Sequence, residues 1–299
     1  MIAIISHDAG GAEILSSYVR QHCLQFLFVL EGPALNIFER KLGPVTVCSL
    51  DEAISQSKSI ICGTSWQSDL EFNALKMARL MGKRSIAFLD HWVNYRDRFI
   101  RSSQAIWPDE IWVGDTMAQS MAKEIFTKLP ITLVDNPYTL DIQKELTKIK
   151  SHRLSSKDSI SVLYVCEPIS EHAKRRYGIA NFWGYVEEDA IRYFLSNISV
   201  LGKPIKRILI RHHPSEKQEK YKWIQSEFEL PIEMGGISTL LEEIIASDFV
   251  VGCESMAMVI GLIAGKSVIS CIPPGGRACG LPHSEIISLQ DIVKINLAN

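Results

Sequence analysis

Short apolar runs alternate with amphipathic stretches along the chain, the pattern of successive βα units built around a parallel sheet. Ile2–Ser6 reads as a first strand, and Gly10-Gly11 separates it from a helix over about Glu13–Gln21. Leu24–Leu30 reads as a second strand and Val45–Cys48 as a short third. Strands Ser59–Cys62 and Ser85–Leu89 flank a helix Asp69–Met81, which Gly82 ends as a C-terminal glycine does. Strands Glu110–Val113 and Ile131–Val134, with the helix Thr116–Phe126 between them, complete this half.

The polar stretch Leu140–Lys157 predicts a helix followed by an interdomain linker, and beyond it the pattern restarts. Ser161–Cys166, Arg207–Ile210, Phe249–Val251 and Ser267–Cys271 read as strands. Glu187–Ser196, Ser238–Ser247 with Ser238 as its cap, and Ser255–Ala264 closed by Gly265 read as helices. A domain usually takes roughly 100–200 residues. The 299 residues therefore predict an N-terminal domain over 1–150 and a C-terminal domain over 151–299. The fold class is α/β, with two Rossmann-like domains facing a central cleft.

Composition narrows the partners. The net charge of −2 gives no electrostatic footprint for nucleic acid, and the basic run Lys174-Arg175-Arg176 fits a solvated helix end. The seven cysteines form no CxxC pair, which suits buried free thiols in a reducing compartment and argues against a zinc site; no metal or cofactor is expected. Met1 leads straight into Ile2-Ala3-Ile4-Ile5 without the basic and apolar regions of a signal peptide. The longest apolar run, Met256–Ala264, is too short to span a bilayer. A cytoplasmic location follows, with peripheral contact at the inner face of the membrane left open. The oligomeric state is not readable.

In open parallel sheets, ligands bind beyond the carboxyl ends of the strands, so polar residues there are the candidates. After the first strand come His7, Asp8, Gly10 and Gly11, where a helix start favours an anion and either polar side chain can act as a base; chain reversal alone also explains the glycines. Asp90, His91 and Arg96 crowd one loop with Trp92, and suit contacts to an acceptor unless the loop serves to wedge Trp92 into the core. Asp135-Asn136-Pro137-Tyr138 fits an ordinary turn. Arg211, His212, His213 and Pro214 follow a strand and suit phosphate or a base. Glu254, Ser255 and Met256 open an apolar helix whose free amides can cradle phosphate, with Glu254 turned to ribose. Gly275 and Gly276 lie in a basic loop, Pro273–Arg277, that either closes over a ligand or is plain surface.

The second half resembles the nucleotide-binding domain of GT-B glycosyltransferases, on His213-Pro214 after a strand, Glu254-Ser255 at a strand–helix junction and the glycine-rich loop Pro273–Gly276. The His-Pro pair is similar to the motif with which bacterial sialyltransferases and Kdo transferases hold the CMP part of their donor. The resemblance implies that His213 and Ser255 touch the donor. It further implies a glycosyltransferase of surface polysaccharide synthesis, moving sugar from a nucleotide-sugar to a glycan or lipid acceptor. It covers about the last hundred residues, and the first half only by its glycine turn. The same architecture serves UDP-N-acetylglucosamine 2-epimerases, whose paired carboxylates and Ser-Gly-Gly loop are not evident here. An epimerase or hydrolase, or a non-catalytic nucleotide-sugar binder, stands as the alternative.

Overall fold

The structure, a computed structural model, describes residues 1–65, 68–149 and 158–298. The chain divides into two compact units, Met1–Lys144 and Glu145–Asn299. Of the polar stretch Leu140–Lys157, residues 150–157 lie outside the described residues.

The first unit carries strands β1 (Ile2–Ser6), β2 (Phe26–Leu30), β3 (Ser59–Cys62) and β4 (Arg84–Leu89), the small hairpin β5 (Ile100–Arg101) and β6 (Gln104–Ala105), then β7 (Glu110–Val113) and β8 (Ile131–Leu133). Its helices are α1 (Ala9–Gln21), α2 (Pro33–Leu42), α3 (Leu50–Gln56), α4 (Leu70–Leu80), α5 (Thr116–Ile125) and α6 (Pro137–Lys148). The sheet is parallel in the order β2-β1-β3-β4-β7-β8. Its central strands are apolar on both faces because helices cover both, so Ala3–Ile5 and Ile86–Leu89 are buried.

Three expectations change here. Val45–Cys48 forms no strand: a single parallel bridge, Phe28 to Val47, marks the place, since the four residues are too few and too exposed to extend a ladder beyond β2. Helix α1 begins at Ala9, so Gly10 and Gly11 lie in its first turn rather than in a preceding loop. Close packing explains their identity: a Cβ on Gly10 would collide with Asp90 Oδ2, and one on Gly11 would stand 3.1 Å from the Gly63 backbone. Asn136-Pro137 is the start of α6, where Asn136 Oδ1 accepts from the amides of Tyr138 and Thr139.

The second unit carries β9 (Ile160–Val165), α7 (Ile169–Tyr177), α8 (Glu187–Ser196), β10 (Ile205–Arg211), α9 (Ile224–Glu227), β11 (Ile232–Met234) and α10 (Leu240–Ile245). It continues through β12 (Phe249–Gly252), α11 (Met256–Ile263), β13 (Ser267–Ser270), β14 (Ile286–Ser288) and α12 (Leu289–Ala298). The parallel order is β11-β10-β9-β12-β13-β14, the Rossmann arrangement, with fully buried β9 at its centre. Thr239, not Ser238, caps α10, because Glu242 reaches back to close a capping box. Lys174, Arg175 and Arg176 fall in the last turn of α7, as a solvated helix end requires.

Candidate functional site

The strand order locates the two places to search. In each sheet the connections reverse direction beside the first strand, between β1 and β3 in the first unit and between β9 and β12 in the second. Crevices open at the carboxyl ends of such strand pairs.

In the first unit that point gathers Ser6, His7, Asp8, Gly63 and Thr64. His7 Nδ1 lies 2.7 Å from Asp8 Oδ1, an imidazole oriented by a carboxylate. The amide of His7 donates to Glu71 Oε1 at 2.7 Å. Glu71, in the first turn of α4, is buried, and burial pushes its carboxyl up to about 7, with Asp8 adding to the shift. Ser6 Oγ and Glu71 Oε2 are buried with no hydrogen-bond partner among the described residues. Gly32 packs on the His7 ring, where a Cβ would stand 2.7 Å from Nε2.

Asp90 is not a free base. Buried Arg98 donates to its Oδ1 at 2.5 Å and to Thr64 Oγ1 at 2.7 Å, which locks the carboxylate into a structural pair. His91 Nδ1 accepts from the Trp92 amide at 3.0 Å. Trp92 is buried and its indole N–H donates to Asp115, while Arg96 is exposed. Arg98 and Glu71 were not singled out by sequence. Each sits several residues or an element away from the motifs, and only folding brings them in.

In the second unit the switch point gathers Glu167, Cys253, Glu254 and Ser255. Glu167 Oε1 accepts from the amides of Cys253 at 2.8 Å and Glu254 at 2.9 Å. The protein's own carboxylate therefore occupies the two amides that lead into the Ser255 cap, just ahead of α11. Burial, then the nearby Glu254, pushes Glu167 up to about 7. Ser255 caps α11 by accepting from Ala257, which leaves its hydroxyl hydrogen to donate; Met256 is the first helical residue. Glu254 is ion-paired with Arg277 and accepts from Gly280 at 3.1 Å; burial raises its carboxyl against the pull of Arg277. A glutamate at the carboxyl end of an apolar strand was a signal the sequence offered at position 167.

His213 Nδ1 receives the Ser215 hydroxyl at 2.8 Å and the Ser215 amide at 3.2 Å. Two donors on Nδ1 put the ring proton of neutral imidazole on Nε2, as a donor. Burial pushes His213 below the usual histidine range, so it is neutral at pH 7. Pro214 is exposed in the turn. Arg211 donates to Glu243 at 2.6 Å and to the Ser238 carbonyl at 3.1 Å, so its guanidinium is engaged inside the unit and not poised for phosphate. The loop at Gly275 and Gly276 is surface-exposed at Gly275 and packs on the segment 183–185. The Arg277 amide donates to Trp183 O at 3.0 Å, and Gly184 and Tyr185 pack against the two glycines. No group of three His, Cys, Asp or Glu among the described residues is arranged to hold a metal ion, and no described helix is long and apolar enough to cross a membrane.

No family model and no curated protein matches the chain. Solved structures do. The S. aureus MnaA–UDP co-structure superposes with TM-score 0.62 at 11% identity, covering 99% of this chain and 87% of that one. The UDP-GlcNAc 2-epimerase from Methanocaldococcus jannaschii gives 0.55 at 11% identity, over 90% of this chain and 83% of that one. The E. coli heptosyltransferase WaaC, with ADP-2-deoxy-2-fluoro heptose, gives 0.47 at 11% identity over 100% and 99%. The first two likenesses bear on the fold: the chain has two Rossmann-like units of the GT-B type.

Proposed function

We propose that the chain is an enzyme acting on a nucleotide-sugar, and that it transfers the sugar to a glycan or lipid acceptor in surface polysaccharide synthesis. One observation carries this: the Rossmann order of the second unit brings Glu167, His213, Ser255 and Arg277 to the carboxyl ends of β9, β10, β12 and β13, at one end of the sheet. The nucleotide belongs there. His213 Nε2 and the Ser255 hydroxyl donate to phosphate, Glu254 accepts from ribose, and Gly275 and Gly276 let the backbone come close. Glu167, held near neutrality, gives up the amides of Cys253 and Glu254 to the incoming phosphate as it takes a proton. In the first unit His7, backed by Asp8, is the base for the acceptor hydroxyl. The sialyltransferase- and Kdo-transferase-like His-Pro pair supports a cytidine nucleotide. The chemistry as drawn calls for no metal, the leaving phosphate being met by helix amides and neutral donors.

A second reading, a 2-epimerase or hydrolase, is supported by the MnaA–UDP likeness and by a buried carboxyl of pKa about 7 at the same point. A thermal-shift screen over free nucleotides tests both, because bound ligand stabilises by roughly 2.7 kcal/mol at one hundred times Kd. Stabilisation lost in His213→Ala is the expected result. No shift with any nucleotide or nucleotide-sugar ends the proposal. Turnover of the sugar nucleotide without acceptor selects the epimerase or hydrolase, and binding without turnover selects a non-catalytic binder.

A further inference from the structure

The basic run at the end of α7 continues into a surface that the site does not use. Gly178, with φ +75°, turns the chain out of the helix. The next residues expose large apolar side chains: Ile179 is 54% exposed, Phe182 48% and Tyr177 37%. Tyr177 and Phe182 stack at 3.7 Å between ring centroids, and Trp183 meets Tyr177 edge-on at 6.0 Å, so the rings brace one another at the surface. Lys174 and Arg175 are exposed beside them, and the Arg176 guanidinium lies 5.4 Å from the Tyr177 ring centre. Over 169–185 the only acidic residue is Glu171, against the three cations, in a chain of net charge −2.

Apolar side chains standing out of the fold mark a surface that meets a partner. Rings and aliphatic groups ringed by Lys and Arg match the boundary between headgroups and acyl chains, where aromatic side chains settle and cations meet lipid phosphate. We propose that the last turn of α7 and the loop 178–183 form a docking face for an anionic phospholipid bilayer. Tyr177, Ile179 and Phe182 enter the interface, and Lys174, Arg175 and Arg176 lie against the headgroups. The face is tied to the nucleotide pole through Trp183, whose carbonyl accepts from Arg277 and whose ring lies 4.7 Å under that guanidinium. Presentation of a lipid acceptor to that pole would rest on the proposed function; the docking itself does not.

The test is co-sedimentation of the full chain, without nucleotide, with phosphatidylcholine vesicles alone and with roughly a third phosphatidylglycerol added. The chain pellets with the anionic vesicles and stays in solution with the neutral ones, and added salt weakens the binding. The double variant Arg175→Glu/Arg176→Glu loses at least about tenfold in partitioning, since each cation near such a surface is worth about fivefold. Ile179→Ser/Phe182→Ser, read separately, also loses about tenfold. Unchanged thermal midpoints show that the variants are folded, and either pair suffices if the other is not. The proposal is overturned if the wild type fails to pellet, pellets equally with neutral vesicles, or is matched by both variants. It is equally overturned by a dimer that Ile179→Ser/Phe182→Ser dissolves while vesicles are ignored. Failure of nucleotide binding leaves every one of these readouts intact.

Discussion

The two units each set one buried glutamate beside the switch point of the sheet, and they use it differently. Glu71 holds the loop after β1 through a single amide and keeps one oxygen without a partner among the described residues. Glu167 accepts two amides of the loop between β12 and α11, those of Cys253 and Glu254. Conversely, the Asp8 side chain makes no capping hydrogen bond to α1, yet Asp8 and Asp90 sit beside its first turn. Both units inherit a helix start pointed at a crevice. Local carboxylates set the charge beside each: Glu167 and Glu254 in the second unit, Asp8 and Asp90 in the first.

The comparison can be broken most severely at its ion pairs. Arg98→Ala should cost about 3–5 kcal/mol in denaturant unfolding, because it leaves Asp90 enclosed without its cation. Arg277→Ala, whose side chain is 34% exposed, should cost about 1 kcal/mol. Equal losses would mean that the two poles are built alike.

The glutamates give the next effect. An unfolded glutamate titrates near about 4.3, whereas both are pushed up to about 7 in the fold. The folded chain then binds more protons between those values, so stability falls as pH rises through that window and stays low above it. Each group accounts for roughly 3–4 kcal/mol. Melting at pH 5 and pH 8 should show Glu71→Gln and Glu167→Gln each flattening this slope. Only Glu167→Gln should also tighten nucleotide binding at pH 8, and identical behaviour of the two would erase the distinction drawn above.

Smaller changes sharpen it. Gly10→Ala drives a methyl into Asp90 and should cost about 1–3 kcal/mol by chemical denaturation, while leaving nucleotide binding alone. Thr239→Ala, which removes a cap far from either glutamate in sequence, should cost about 1 kcal/mol and change neither pH slope nor ligand binding.

The alternation of apolar runs with amphipathic stretches was enough to place β1, β3, β4, β7, β9, β12 and β13 within a residue or two, because buried parallel strands are written as continuous runs of Ile, Val and Leu. Short or polar elements left no such mark. Helices α3 and α7 and strands β11 and β14 escaped, being short segments whose character is set by what they pack against, and α2 escaped too. His7, Asp8, His213, Glu254 and Ser255 follow strand ends closely, so their place in the fold was readable. Arg98 belongs to a turn eight residues past Asp90, and Glu71 looks like any acidic residue of a first helical turn. The state of the Cys253 and Glu254 amides could not be read either, since their partner comes from position 167, far back along the chain.

The margins of both sheets have a bearing on how the chain survives in a crowded cell. Strands β8, β11 and β14 are three residues each. A stranger pressing against any of them would find a template too brief for a stable ladder. Beyond β2 the Phe28 to Val47 bridge already occupies part of the rim, with the Cys48 amide donating to the Phe28 carbonyl at 2.9 Å. Three of the four sheet edges are thus kept short, and fibre-like association has little to build on there.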